Sequence, residues 1–178
     1  MNSKAWMVIS LVFSCMVAAV ALSQVYAMTK PVIDRQRADA TALALGQVLP
    51  LARTFRNVEP DSLWYGLDEA GAQVGLVIRV GMRGYGGPVP ILVGLDLAGR
   101  VLALSVASPA EGLKETPGLG LKADEKWFSD QFIGADSTVR LRKEGGTIDA
   151  ISGATITSRA ATHGIAAGIR KYSGHLTR

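Results

Sequence analysis

Cysteine and histidine are scarce in this chain of 178 residues, and their scarcity excludes several kinds of site. The single cysteine, Cys15, rules out an intrachain disulfide and a thiolate metal cluster. The two histidines, His163 and His175, have no companion ligands at the spacing that metal sites use. No general base accompanies a nucleophile either. We therefore predict no metal site and no catalytic residue in this chain.

The chain also lacks a concentrated patch of charge of one sign. Its 19 basic and 15 acidic residues leave a net charge of only +4, and the basic residues are scattered along the sequence. Nucleic-acid binding normally needs a basic stripe or face, so we predict no nucleic-acid partner. There is no internal repeat and no low-complexity linker. The length allows one ordinary domain with a short appendage.

The appendage is an apolar segment at the N-terminus. Residues 5–28 contain no charged side chain over 24 positions, enough helix to cross a hydrocarbon layer of about 30 Å. We predict a tail at residues 1–4 and a retained transmembrane anchor at residues 5–28. A cleaved signal peptide is the alternative, because Lys4 precedes the apolar run and small residues near Ala27 resemble a cleavage site.

The charges that flank the anchor favour one orientation weakly. Lys4 lies on the N-terminal side, whereas Lys30, Arg35 and Arg37, partly offset by Asp34, lie on the C-terminal side. Positive residues are enriched in cytoplasmic loops, so this count alone slightly favours a cytoplasmic location for the rest of the chain.

Beyond the anchor the sequence predicts an α+β fold. A connecting helix at residues 29–50 carries Pro31 near its first turn and stops at Pro50. A domain over residues 51–178 follows, and from about Leu63 its sequence has the pattern of β-strands. Short runs rich in Val, Ile and Leu between Gly and Pro predict strands. The predicted elements are strands at 73–82, 88–97 and 100–107, a loop at 108–120, a short helix at 121–132, a strand at 137–144 and a helix from about Ser158 to Tyr172.

A run of small residues before the last helix is the strongest candidate for a site. Ser152, Gly153, Ala154 and Thr155 leave the backbone open, as a hydroxyl that accepts a bulky phosphoryl group requires. Asp149 could hold the segment in an Asx turn or orient the phosphoryl donor. The alternative is simple helix initiation, in which a hydroxyl caps the helix, and Thr157 and Ser158 are the residues best placed to do so.

The string "DAISGATITSRA" at residues 149–160 resembles the flavinylation motif of a known family. That motif belongs to the FMN-binding domain found in the G subunit of the Rnf electron-transport complex and in the C subunit of the sodium-pumping NADH:quinone reductase. The resemblance implies one covalent FMN per chain, joined by a phosphoester bond to Thr155. The remaining motif positions are Asp149, Ser152, Gly153 and Ala154.

Two further stretches, residues 84–101 and 114–122, resemble the Rnf G subunit in the same order along the chain. The resemblance implies contacts with the flavin ring from Tyr85, Thr116, Gly118, Leu119 and Gly120. Taken alone, the Pro and Gly residues here are typical of ordinary turns. The chain departs from the G-subunit pattern at Leu113, where we expect a histidine.

This resemblance implies an electron-relay subunit rather than a complete catalyst. The complex exchanges electrons between NADH and ferredoxin and moves Na⁺ or H⁺. Its other subunits and a flavin transferase are the implied partners, and the flavin domain is expected on the periplasmic side of the bacterial inner membrane. Two alternatives stay open, namely the flavin domain of another extracytoplasmic reductase and an assembly or binding domain with no cofactor.

Overall fold

The computed structural model describes residues 3–176, and the chain divides into two compact units, residues 1–41 and 42–178. Helix α1 spans Ser3–Val48. The part from Trp6 onwards is long and apolar enough to cross a membrane. Pro31 lies inside α1, so the prediction that it starts a separate helix was wrong. A proline removes one N–H from a helix but need not end it. The first two residues of the predicted tail 1–4, and residues 177–178, lie outside the described residues.

The second unit is built on a five-stranded antiparallel sheet whose strands neighbour one another in chain order. This sheet, with α1 before it and helices after it, confirms the predicted α+β class. The strands are β1 (Thr54–Glu59), β2 (Leu63–Leu67), β3 (Gln73–Arg83), β4 (Pro88–Leu95) and β5 (Val101–Val106). Strands β3 to β5 agree with the three predicted runs. Strand β1 was missed because it is a largely exposed edge strand with little apolar alternation.

Alternating side chains on the sheet build two separate cores. Ile78 of β3 and Ile91 of β4 contribute to the larger one, the α3-side core, which also contains helix α3 (Thr155–Tyr172). Val77 and Leu92 point the other way. They form the smaller α1-side core, together with Leu45, Val48, Leu49 and Trp64. The sheet is thus covered by α3 on one face and by the last turns of α1 on the other.

Between β5 and α3 the chain makes short turns rather than the longer elements that the sequence predicts. The predicted helix at 121–132 is three pieces: a 3-10 helix at Gly120–Asp124, α2 at Lys126–Ser129 and a 3-10 helix at Asp130–Phe132. The predicted strand at 137–144 was wrong. Val139 and Leu141 are buried with strand-like alternation, but the segment forms only an isolated β-bridge, from Leu141 to Ile148. The described segment pairs with residues just after it and adds no strand to the five-stranded sheet.

Helix α3 starts at Thr155, three residues before the predicted start, and lies against β3. A glycine allows this close approach. A Cβ atom at Gly168 would collide with Val80 and would lie 3.0 Å from Ile78 Cδ1. The N-terminal turn of α3 is therefore held in a fixed place by packing of the rest of the helix on the sheet.

Candidate functional site

Three sequence-distant segments meet at the side chain of Glu115, which is only 8% exposed. Its Oε2 accepts a hydrogen bond from Thr157 Oγ1 at 3.0 Å, and its Oε1 accepts one from the Gly86 N–H at 3.3 Å. Gly86 precedes β4, Glu115 precedes the Pro-Gly loop (residues 116–120), and Thr157 lies in the first turn of α3. The stretches 84–101, 114–122 and 148–165 are therefore brought together in one place.

Glycines make room for this carboxylate. A Cβ atom at Gly84 would collide with Glu115 Oε1. One at Gly120 would lie 2.8 Å from Glu115 Cβ and 3.1 Å from Thr157 Oγ1. A Cβ at Gly86 would collide with the backbone of Lys114. Gly84, Gly86 and Gly120 are thus required because neighbouring atoms approach their backbone closely, beyond any role in turns.

The turn that leads into α3 is fixed by hydrogen bonds within it. The Ala154 N–H donates to Ile151 O at 3.0 Å, and Gly153 adopts a φ of 76°, in the left-handed region that favours glycine. The Ser158 hydroxyl closes the turn from the helix side. It accepts from the Ile151 N–H at 2.9 Å and donates to Ala154 O at 3.0 Å.

The four hydroxyls of this segment differ sharply in accessibility. Thr157 and Ser158 are 1% and 0% exposed, and each is hydrogen-bonded, Thr157 to Glu115 and Ser158 to the backbone of the turn. Ser152 is exposed and Thr155 is half-buried. Ser152 and Thr155 are therefore the two residues of this set that solvent contacts, whereas Thr157 and Ser158 lie in the interior.

Within residues 3–176, no side chain caps the N-terminus of α3 by a hydrogen bond. The residue at the cap position is Ala154, and Thr155 is the first helical residue. The prediction that Thr157 or Ser158 caps the helix was wrong, because both lie inside it and their hydroxyls have other partners. The first N–H groups of a helix lack intrahelical acceptors, and together with the helix dipole they favour an anion.

The Pro-Gly loop packs beside this turn. The Thr116 carbonyl accepts hydrogen bonds from the N–H groups of Leu119 and Leu121, and Gly118 has a φ of 74°. A Cβ at Gly153 would lie 3.0 Å from Leu119 Cδ2, so this loop touches the turn that precedes Thr155. The Leu119 side chain is nevertheless 43% exposed. It offers an exposed apolar surface beside Gly153, two residues before Thr155.

The remaining predicted ring contacts lie around the same loop. Thr116 and Gly118 are exposed, and Gly120 is buried against Glu115. Tyr85 is 72% exposed and directly precedes Gly86, which Glu115 holds. Leu113, found where we expected a histidine, is buried in the α3-side core.

Asp149 makes an ion pair instead of the suggested Asx turn. Its Oδ1 lies 2.9 Å from Arg142 Nε on the surface, and its N–H donates to Gln131 Oε1 at 2.7 Å. Nearby, Glu144 connects the segment before the motif to α3. Its hydrogen bonds with His163 and Arg159 hold the pKa of the Glu144 carboxyl below its usual value. These contacts brace the chain upstream of Thr155.

Sequence reasoning missed Glu115 and assigned Thr157 the wrong role. Both are polar residues whose burial is visible only in the fold. The sequence contained one signal, the glycines at Gly84, Gly86 and Gly120, which leave room for the Glu115 side chain. Glycines are equally expected in turns, so this signal was ambiguous.

A family model described as the FMN-binding domain matches residues 84–170, a span that contains all three segments of the site. Among solved structures, the fold is similar to NqrC from Shewanella oneidensis, with a TM-score of 0.52 and 18% identity over 72% of this chain and 73% of that one. The C subunit of the Na⁺-translocating NADH-quinone reductase from Parabacteroides distasonis also has a TM-score of 0.52, with 22% identity over 65% of this chain and 62% of that one. These two structures support the fold.

Curated relatives match over most of their length. The G subunit of the Na⁺-translocating ferredoxin:NAD⁺ oxidoreductase complex of Acetobacterium woodii is 32% identical, over 88% of this chain and 85% of that protein. The G subunit of the ion-translocating oxidoreductase complex of Stutzerimonas stutzeri is 34% identical, over 88% and 75%. The corresponding protein of Methanosarcina acetivorans is 32% identical, over 86% of each. The chain therefore belongs to the G-subunit family of ion-translocating oxidoreductase complexes and carries its FMN-binding domain.

Proposed function

We propose that this chain is an electron-relay subunit that carries FMN in phosphoester linkage to Thr155. It works within a membrane-bound complex that exchanges electrons between NADH and ferredoxin and couples the exchange to ion movement. The observation that carries the proposal is the placement of a partly exposed threonine at the uncapped N-terminus of α3, just after a turn that contacts the Pro-Gly loop. The named function of the G-subunit relatives supports the rest.

The residues present fit an FMN group. Thr155 is half-buried, and the two residues Ser152 and Gly153 shortly before it are exposed, which leaves its approach open. The first-turn N–H groups of α3 favour the negative charge of a phosphate diester there. The Pro-Gly loop, with Leu119 partly exposed, and Tyr85 would contact the ring. FMN bound in this way can accept and release electrons singly.

The site suits a relay better than a self-contained reaction centre. The loop, the turn and Tyr85 lie at the surface, so a bound ring would stay within reach of neighbouring electron carriers. The protein's part is then to fix the position and the potential of the cofactor. The other subunits of the complex are the proposed partners, and a separate flavin transferase forms the bond to Thr155.

The test is the attachment itself. Thr155→Val keeps the shape of the side chain and deletes the hydroxyl. We expect the full-length variant, coexpressed with a flavin transferase, to show no flavin fluorescence on a denaturing gel. Thr147→Val removes an exposed hydroxyl outside the site and should remain fluorescent. Expression without the transferase should yield apoprotein.

Two results would contradict this assignment. One is a fluorescent Thr155→Val band, and the other is a peptide in which the FMN mass maps to Ser152 or another residue. A wild-type chain that stays without flavin in the presence of an active transferase would favour the cofactor-free assembly domain instead.

A further inference from the structure

The Glu115 carboxylate is buried without a cationic partner. No basic side chain among residues 3–176 forms an ion pair with it, and its two oxygens accept from Thr157 Oγ1 and the Gly86 N–H. Burial of a carboxylate is unfavourable unless it is both hydrogen-bonded and paired with an opposite charge, and this one is only hydrogen-bonded. A carboxylate in this position therefore has a stability cost that an apolar side chain would avoid.

Its contacts connect all the walls of the proposed flavin site. Through Gly86 it holds the segment before β4, which carries Tyr85. Through Thr157 it holds the first turn of α3, two residues from Thr155. Through its own backbone it sets where the Pro-Gly loop begins, at Thr116. A single side chain thus fixes the relative position of the attachment hydroxyl and the surfaces around it.

We infer that Glu115 is a positioning residue of the flavin site: its carboxylate holds the Pro-Gly loop and the Gly86 segment against the first turn of α3, and its negative charge disfavours reduction of the attached flavin. This inference rests on the proposed function. The part of the inference that concerns the position of the loop and the Gly86 segment applies to the apoprotein and can be tested without a cofactor.

Both oxygens act as acceptors, so the carboxylate makes both contacts as charge-assisted hydrogen bonds. A glutamine has one acceptor oxygen, so its amide nitrogen must face either Thr157 or Gly86. Facing Gly86, it would oppose an N–H donor. Facing Thr157, it can donate to the hydroxyl, so both contacts remain but become weaker, because neither is any longer made to a charged group. Glu115→Gln therefore separates the charge from the packing with little change in volume.

The experiment compares Glu115→Gln, Thr157→Val and wild type as full-length protein in detergent. Hydrogen exchange is measured on the apoproteins at residues 84–88 and 116–121. The flavin midpoint potential is measured on protein loaded through a coexpressed flavin transferase. Glu69→Gln, which removes an exposed carboxylate from the β2–β3 hairpin, is the control for loss of charge.

We expect Glu115→Gln to exchange several-fold faster in both segments, because its hydrogen bonds are no longer charge-assisted. Its midpoint potential should be more positive, because one negative charge is gone. Thr157→Val breaks only the bond to Oε2. It should exchange faster at 116–121 while its potential stays close to that of wild type, because the carboxylate remains. The Glu69→Gln control should match wild type in both measurements. If Glu115 had only a structural role, its replacement would change hydrogen exchange without the shift in midpoint potential.

Unchanged exchange in Glu115→Gln, or an unchanged potential, overturns the inference. If Glu115→Gln fails to fold, Thr157→Val decides, and unchanged exchange at 116–121 in that variant overturns the inference as well. Failure of the proposed function has a different signature. In that case wild-type protein carries no covalent FMN, while the exchange differences among the apoproteins are unaffected.

Discussion

Gly153 is the residue that lets the attachment turn adopt its shape. Its φ of 76° is readily available only to glycine, and the space where a Cβ would stand is 3.0 Å from Leu119 Cδ2. Ala154 and Thr155 follow directly. The small residues of the motif thus serve backbone geometry and contact with the Pro-Gly loop, as well as access to the hydroxyl.

We predict that Gly153→Ala lowers both stability and flavin attachment. The left-handed backbone should cost about 1–2 kcal/mol for alanine, and Leu119 must also move. Gly71→Ala is the matched control, since Gly71 has a φ of 80° and no neighbour among the described residues within 4 Å of a Cβ. Urea unfolding and gel fluorescence of the full-length chains measure the two effects. Equal attachment in both variants would show that the Leu119 contact does not matter.

The packing of α3 on β3 is the main contact between elements that holds the site in place. Two glycines of α3 face the sheet with different clearances. A Cβ at Gly164 would make ordinary contact with Met82 Cγ at 3.5 Å. A Cβ at Gly168 would collide with Val80, whose branched side chain has little freedom to turn away. The same substitution should therefore have opposite effects one turn apart.

We predict that Gly164→Ala stabilises the chain by about 0.5–1 kcal/mol, the usual gain over glycine within a helix. Gly168→Ala should lower the free energy of unfolding by about 1–3 kcal/mol, as overpacking typically does. Urea unfolding monitored by circular dichroism measures both. A stabilising Gly168→Ala would mean that α3 can shift on β3, and the N-terminal turn of α3 would then be less firmly positioned than we describe.

The strands and the start of α3 show which parts of the fold could be predicted from the sequence alone. Strands β3 to β5 were predictable because buried β-strands have continuous apolar runs between turn residues. Strand β1 was not, because an exposed edge strand has little apolar signal. The start of α3 was misplaced because Thr157 and Ser158 have the chemistry of caps, whereas Ser158 bonds back to the turn before the helix and Thr157 bonds to Glu115. The contact with Glu115 joins residues far apart in the chain and has no local signature.

The candidate site was predictable only in part, for a related reason. The small residues around Thr155 and the loop at 116–120 stand out in the sequence as local patterns. Glu115 does not, since its importance comes from Gly86 and Thr157, which are 29 and 42 residues away. Local patterns therefore locate the segments of a site, while the side chain that joins them is found only once the fold is known.

At the scale of the whole molecule, two signals disagree about the side of the membrane on which the flavin domain lies. The chain has one described helix that is long and apolar enough to span a bilayer, and the domain follows it. The charges flanking residues 5–28 favour the cytoplasm slightly, with three basic residues and one acidic residue closely following the apolar run. The resemblance to the Rnf G subunit implies the opposite side.

We predict that the domain is extracytoplasmic. Three basic residues against Lys4 and the amino terminus are a small difference. A bias of this size is readily overridden, because long domains translocate largely regardless of charge. C-terminal fusions should be active with a periplasmic reporter such as alkaline phosphatase and inactive with a cytoplasmic one. The reverse pattern would place the flavin site in the cytoplasm.

We also predict that the anchor is retained. Mass spectrometry of the purified chain tests this, since a mature N-terminus at Met28 would show cleavage and an intact N-terminus would show retention.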